Sequence, residues 1–240
     1  MFTLRKYPSV HLCVLVFCIF FISLTVFWPG VSGGFLFDDY HNIVSNAHIQ
    51  ISDLTSVNLW RAANAYSDGT RQLPMLTFAL NAYWAGLNPW AYKVTGLLAH
   101  AVNAVLVFLL VRRIFAFTAA IPARHRNAVA GALALIWALH PLQVSSALYI
   151  VQRMETMCYG FLLVALLLYL YAREQQLANG RSHWALWAGM ALAWLAAWLC
   201  KENAALLPLF CLALEASVLQ SGPISPARRR FWRKIGRAHV

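Results

Sequence analysis

The stretch VHLCVLVFCIFFISLTVFWPG, residues 10–30, decides the class of fold. Residues 10–28 form an almost wholly apolar run, close to the roughly 20 residues that a helix needs to cross a bilayer. The run ends at Trp28-Pro29-Gly30, where an interfacial aromatic residue is followed by two helix breakers. The stretch therefore predicts a membrane-spanning helix.

The composition of the whole chain agrees with this prediction. The sequence is 61% hydrophobic and 11% charged, whereas soluble domains carry about 25% charged residues. Its net charge is +11, but the basic residues stand in short clusters between apolar runs, without the aromatic interleaving of a nucleic-acid surface. The five cysteines show no metal-ligand spacing. The composition predicts an integral membrane protein that binds no nucleic acid.

Five further segments are expected to cross the membrane. They are residues 94–111, 128–151, 156–172, 183–199 and 203–219. Within the second of these, the apolar run 128–139 is too short to cross, so we expect it to continue through His140-Pro141 into Leu142–Val151 with a kink at Pro141. Residues 73–90 are also apolar, and we interpret them as an interfacial or re-entrant segment. The predicted fold is an all-α polytopic membrane helix bundle of about six spans, with short interfacial helices in its first outer loop.

The basic residues indicate which ends of the spans face the cytoplasm. With six spans, 14 of the 19 basic residues lie on the side of the N-terminus, which is therefore predicted to be inside. The basic residues left outside are Arg61, Arg71, Lys93, Arg153 and Lys201, and the acids outside are Asp38, Asp39, Asp53, Asp68, Glu155 and Glu202. We expect the first span to be retained as an anchor; a cleaved signal peptide ending near Ser32-Gly33 is the alternative.

The acidic pair in GGFLFDDYHNI, residues 33–43, is the first candidate for a functional site. Asp38 and Asp39 also suit a turn or a helix cap, and Arg153 and Lys201 also suit snorkelling side chains at helix ends. However, charge near a membrane is costly and tends to mark function. A carboxylate takes a proton from a hydroxyl, and cations hold a phosphate. Together these groups suit sugar transfer from a lipid-linked phosphate, although composition alone leaves a transporter as an alternative.

Four stretches, in order along the chain, carry a family resemblance. They are FDDYHNIVSNAHI (37–49), RQLPMLTFALNAYWAGLNPWAYKVTGLLAHAVNA (71–104), ALIWALHPLQVSSALYIVQRMET (134–156) and CKENAALLPL (200–209). The chain resembles the N-terminal membrane part of GT-C-type glycosyltransferases with a C-terminal tetratricopeptide (TPR) array, the transmembrane-and-TPR O-mannosyltransferases. It departs from them at Arg71-Gln72-Leu73-Pro74, where the family often has Arg-Pro.

The resemblance implies a reaction and roles for particular residues. The enzyme would move a sugar, with inversion, from a polyprenyl-phosphate-linked donor to a hydroxyl acceptor on the outer face, expected to be a protein Ser or Thr. Asp38 or Asp39 would be the catalytic base, with Asp38 slightly favoured. No metal or other cofactor is expected, and a divalent metal at the two acids is the less favoured alternative. The residues expected to hold the donor phosphate, or to orient the groups that do, are Arg71, His140, Arg153, Glu155, Lys201 and Glu202.

The resemblance also sets expectations for the domain organisation. Residues 1–233 would be the N-terminal part of a GT-C-like transmembrane domain, expected to be inactive alone if later spans complete the donor pocket, and a TPR domain is expected beyond it. The ending KIGRAHV, residues 234–240, resembles a translated sequencing adapter and is expected to be non-native. A bacterial inner membrane is the expected location, or the ER membrane in a eukaryote. The alternatives from other classes are a polytopic transporter and a non-catalytic, TPR-bearing membrane scaffold.

Overall fold

The chain folds into helices and turns over the residues that the computed structural model describes, 10–118, 121–180 and 182–219. The predicted tail at 234–240 lies outside these residues. The α-helices are α1 (Val10–Phe27), α2 (Ser56–Ala63), α3 (Gln72–Ala85), α4 (Pro89–Thr118), α5 (Ala123–Ala138), α6 (Gln143–Leu148), α7 (Arg153–Asn179), α8 (Trp184–Trp198) and α9 (Leu207–Leu214). Short 3₁₀ or π turns extend several of them, such as Ile150–Gln152 before α7 and Glu202–Leu206 before α9.

The predicted all-α membrane bundle is confirmed. Within the described residues, four segments are long and apolar enough to cross a bilayer, namely Val10–Ser32, Pro89–Thr118, Ile150–Ala178 and Glu202–Leu219. The shorter apolar helix α8 packs along α7, with the rings of Trp187 and Tyr169 5.9 Å apart. The prediction of six spans requires α8 and the segment that contains α5 to cross as well.

The segment that contains α5 follows α4 along most of its length, but as two helices. Asn127 near the start of α5 accepts a hydrogen bond from Arg112 (2.8 Å), and the carbonyl oxygen of Ala138 at its end lies 3.0 Å from Nε2 of His100. Beyond a turn at residues 139–142, Leu148 at the end of α6 accepts a hydrogen bond from Lys93 (2.7 Å). Residues 93 to 112 of α4 correspond to about 28 Å of helix. The segment therefore runs the predicted distance, and α5 ends at Ala138 where a kinked continuous helix was expected.

The ambiguous segment 73–90 forms the 14-residue helix α3, which ends at Gly86 with a positive φ of 59°. Its buried residues Met75, Phe78 and Ala79 join a core cluster with Ile43, Ile49 and Ala62 of the first loop. At about 21 Å, α3 is shorter than the roughly 30 Å hydrocarbon core, and it is not among the four candidate spans. This supports its interpretation as a helix of the first loop.

The contacts place the charged residues at two opposite ends of the bundle. One end, which we call the acidic end, holds residues 28–93, 139–156 and 199–206. The other, which we call the arginine end, holds residues 112–118, 121–127, 171–180, 182–183 and 215–219. There Arg113 pairs with Glu174, and Arg173 with Glu215 at 2.5 Å. The grouping of six acids with five basic residues at one end, predicted from the order of spans, is thus present in the fold.

Candidate active site at the acidic end

Residues 149–155, YIVQRME, form the strip around which the candidate site is built. The strip comprises Tyr149, which directly follows α6, a 3₁₀ turn and the first residues of α7. Its residues contact the first loop at one end and the Lys-Glu pair that precedes α9 at the other. It brings together residues that lie more than 100 positions apart in the sequence.

Asp39 is fully buried beside this strip and holds the first loop in place. Its Oδ1 accepts a hydrogen bond from the backbone N–H of Val151 (2.8 Å), and its Oδ2 accepts one from that of Leu36 (2.9 Å). Burial raises the pKa of Asp39, although the two N–H groups and the ammonium of Lys93 act in the opposite direction. Both carboxylate oxygens are engaged with main-chain donors, so Asp39 is an anchor between the loop and the strip.

Asp38, in contrast, is exposed. Its backbone N–H donates a hydrogen bond to the Tyr149 hydroxyl (3.0 Å), which also interacts with the Asp38 side chain. The preceding residue, Phe37, has a φ of 38°, in the left-handed region that non-glycine residues rarely adopt. Such strain persists only where surrounding contacts impose it, and it clusters at functional sites. The adjacent acids therefore occupy different environments, one accessible and one sealed.

The other end of the strip carries a row of alternating charges. Arg71, at the start of α3, pairs with Glu202 at 3.1 Å. Lys201 pairs with Glu155, whose other oxygen accepts a hydrogen bond from Asn203 (2.5 Å). The Arg71 and Lys201 side chains are 20% and 23% exposed, and Glu202 is 65% exposed. Four of the predicted site residues thus lie together, within reach of solvent.

The Arg71 side chain is also held in place by contacts with Tyr66 and Met154. Its φ of 59° is the second positive value among the described non-glycine residues. Its guanidinium donates a hydrogen bond to the Tyr66 hydroxyl (2.8 Å), lies 4.3 Å from the centre of that ring and contacts the sulfur of Met154 at 3.4 Å. Although the residues after Arg71 depart from the family pattern, these contacts hold Arg71 itself at the edge of the site.

Arg153, which was also predicted to hold the donor phosphate, is buried in the structure. It is 1% exposed, and its guanidinium donates to the hydroxyl of Thr77 (3.0 Å) and the carbonyl of Tyr92 (2.7 Å) while lying 4.6 Å from the centre of the Phe78 ring. Because the guanidinium is buried between these groups, it does not face the space where a sugar-phosphate donor would bind. Arg153 therefore fastens α7 to α3 and α4 beneath the site.

His140 stands apart from the other predicted residues. It is exposed in the turn between α5 and α6, and its Nδ1 accepts a hydrogen bond from the N–H of Leu142 (3.2 Å) two residues further on. This contact shapes the turn that ends α5. The structure shows no contact between His140 and the other predicted site residues.

Sequence reasoning missed several residues that the geometry selects. Tyr149 contacts Asp38, and Lys93, which is 3% exposed, donates to Leu148 and lies near enough to affect Asp39. Tyr66 and Asn203 complete the charged row. Asn203 directly follows the predicted Glu202, and that adjacency was the available signal for it, whereas Tyr149 lies inside a quoted stretch but next to no predicted residue. Among the described residues, no group of three or more His, Cys, Asp or Glu side chains has a metal-binding arrangement.

The chain is similar in sequence to curated proteins named protein O-mannosyl-transferases. It is 29% identical over 198 residues to the protein O-mannosyl-transferase TMTC4 of Mus musculus, a match that covers 76% of the chain and 27% of the relative. It is 30% identical over 200 residues to Tmtc1 of Drosophila melanogaster (79% and 21%), and 26% identical over 208 residues to TMTC3 of Homo sapiens (81% and 20%). The chain spans about a quarter of the length of the first two relatives.

These matches establish a relationship to the TMTC glycosyltransferases, as the resemblance implied. The named relatives are animal proteins and give no support to the expected bacterial location. No protein-family model matches the chain. No solved structure matches it either.

Proposed function

We propose that this chain, a relative of the TMTC protein O-mannosyl-transferases, is part of a membrane glycosyltransferase with its active site at the acidic end. The enzyme would transfer a sugar, with mannose as the first candidate, from a polyprenyl-phosphate donor to a Ser or Thr hydroxyl of a protein. One observation carries the proposal. An exposed carboxylate, Asp38, lies in a strained loop beside a bundle end where partly exposed cations are gathered.

Asp38 is the proposed general base. It takes the proton of the acceptor hydroxyl while that oxygen attacks the anomeric carbon, and the bond from that carbon to the donor phosphate breaks with its electron pair leaving on the phosphate oxygen. Attack opposite the departing phosphate inverts the anomeric centre. Asp39 is not available for this role because both its oxygens accept main-chain hydrogen bonds in the interior.

The departing phosphate is proposed to meet Arg71 and Lys201. Both cations are already paired with carboxylates, and the partner of Arg71, Glu202, is the most exposed of the four side chains. A phosphate that displaces Glu202 would gain a guanidinium held in place by Tyr66. Since side-chain cations meet the phosphate charge, we propose a reaction without a metal, and transfer should be unaffected by EDTA.

The setting of the site follows from the same proposal. Five of the eight arginines in the described part of the chain lie at the opposite end, so the acidic end would face away from the cytoplasm. For a protein with animal relatives, the ER lumen is the corresponding side. A GT-C fold completed by further spans and a TPR domain remains a proposal for the longer protein. A transporter is less favoured, because transporters bind their substrates near the middle of the membrane. In the described part of the chain, the fully buried charges lie at the acidic end and not near the middle of the spans; they are Asp39, Lys93 and Arg153.

The test compares the two adjacent acids in the longer protein of which this chain is expected to be a part. The assay measures the transfer of mannose from polyprenyl-phosphate-mannose to a Ser/Thr peptide in native membranes. Asp38→Asn should lower this transfer by about 10²-fold or more. The thermal midpoint of unfolding should not change. Asp39→Asn should instead lower stability by about 2 kcal/mol, because an amide has one oxygen for two N–H donors. Full transfer by Asp38→Asn would rule out the proposed base.

A further inference from the structure

We propose that Tyr149 is a positioning residue for Asp38, fixing both the backbone and the carboxylate of the base through one hydroxyl. The inference rests on the proposed function, since it concerns the residue that orients the proposed base. The resemblance assigns no role to Tyr149, and the sequence alone gives it none.

The geometry of the contact supports the proposal. A phenolic hydroxyl can accept one hydrogen bond and donate another at the same time. The Tyr149 oxygen accepts the Asp38 N–H at 3.0 Å, which leaves the hydroxyl proton available to the carboxylate of the same residue. A tyrosine hydroxyl keeps its proton at neutral pH, so it has one to donate.

Tyr149 is itself well placed to serve as a fixed point. Its N–H donates to Ser145 of α6 at 3.0 Å, and its carbonyl accepts from Gln152 of the following turn at 3.1 Å. Two residues further on, the Val151 N–H holds Asp39. The same strip thus secures both acids, the buried one through its main chain and the exposed one through a side chain.

A specific chemical consequence follows for the base. A hydroxyl proton shared with one oxygen of the Asp38 carboxylate leaves the other oxygen to receive the proton of the acceptor. The contact also restrains the main chain directly after Phe37, whose strained conformation needs neighbours to maintain it. Without the hydroxyl, Asp38 would remain present and exposed but less well oriented.

The experiment uses Tyr149→Phe in the same longer protein, which removes one oxygen and keeps the ring. We expect kcat to fall about tenfold to a hundredfold while the KM for the donor changes by less than about twofold, because orientation and not binding is lost. Amide exchange at Asp38 should become faster, since its acceptor is gone. Tyr83→Phe is the matched control, an exposed tyrosine on α3 whose ring contacts Trp84, and it should behave as wild type.

The double variant separates this inference from the proposed function. If Tyr149 acts through Asp38, then Asp38→Asn with Tyr149→Phe should be no less active than Asp38→Asn alone. Full kcat in Tyr149→Phe, or a loss explained by a lower thermal midpoint, would overturn the role of Tyr149 even where Asp38→Asn is inactive. Full activity in Asp38→Asn would remove the proposed base itself, and the positioning role with it.

Discussion

The two ends of the bundle use charge in opposite ways. At the arginine end, partly exposed side chains pair with one another across neighbouring helices, as Arg113 does with Glu174 and Arg173 with Glu215. At the acidic end, three fully buried charges contact the main chain. Asp39 accepts from Leu36 and Val151, Lys93 donates to Leu148, and Arg153 donates to Tyr92.

This difference shows what the charges at each end stabilise. A pair of surface side chains contributes little, with a median of about 0–1 kcal/mol. A buried ion with main-chain partners fixes the path of a loop, and losing either partner leaves a polar group unpaired in the interior. The acidic end is therefore ordered by its charges, whereas the arginine end carries charges on helices that other contacts order.

The largest loss of stability is expected when a buried cation of the acidic end is removed. Arg153→Ala should lower the free energy of unfolding in detergent by about 3 kcal/mol, because a cavity forms and Tyr92 and Thr77 lose their donor. Arg124→Ala, at an exposed residue of the arginine end, should change it by less than about 0.5 kcal/mol. Equal losses from the two variants would contradict the comparison.

A volume-matched variant sharpens the same test. Arg153→Met fills most of the space without a charge and should cost less than Arg153→Ala, since hydrophobic replacements of buried ionic groups are often tolerated. An equal loss would show that the guanidinium hydrogen bonds, and not the packing, account for the effect.

A smaller effect is expected where a helix packs close to a buried amide. A Cβ at Gly160 of α7 would lie 2.7 Å from Oδ1 of Asn103, whose Nδ2 donates to Thr156 at 2.8 Å. Gly160→Ala should therefore lower stability by about 1–2 kcal/mol, because the amide must move and break a buried hydrogen bond. At Gly131 of α5 the nearest atom would be 3.9 Å away, so Gly131→Ala should be neutral or stabilise by up to about 1 kcal/mol. Thermal unfolding of the two variants in detergent checks both.

The smallest effect is expected for ion pairs with exposed partners, one from each end. A double-mutant cycle on Arg71 and Glu202 should give a coupling of about 0.5–1 kcal/mol, and one on Arg113 and Glu174 a similar value. The difference should appear in transfer, where only the Arg71 variants lose activity. Equal transfer by the two sets of variants would contradict the proposed phosphate contact.

The sequence was a good guide to the spans and to the separation of charge, because both follow from local hydropathy and the order of segments. It also placed Lys201 and Glu202 at the same end of the bundle as Arg71 and Glu155, with which they pair in the structure. It did not separate Asp38 from Asp39, since the difference depends on a main-chain donor at Val151, 112 positions away. The sequence did not predict the burial of Arg153 either, because the residues that enclose Arg153 come from α3 and α4. The end of α5 at Ala138, ahead of Pro141, was expected only as a kink.

The strip 149–155 has a consequence for how such chains tolerate changes in length. Its first residues hold the proposed base, and its last residue, Glu155, pairs with the lysine proposed to meet the leaving phosphate. The number of residues between them sets the spacing of the two halves of the reaction. One residue inserted or deleted there would rotate the helical part by about 100° and point one set of contacts away. Length variation should therefore be tolerated in the exposed turns between spans and excluded from these seven positions.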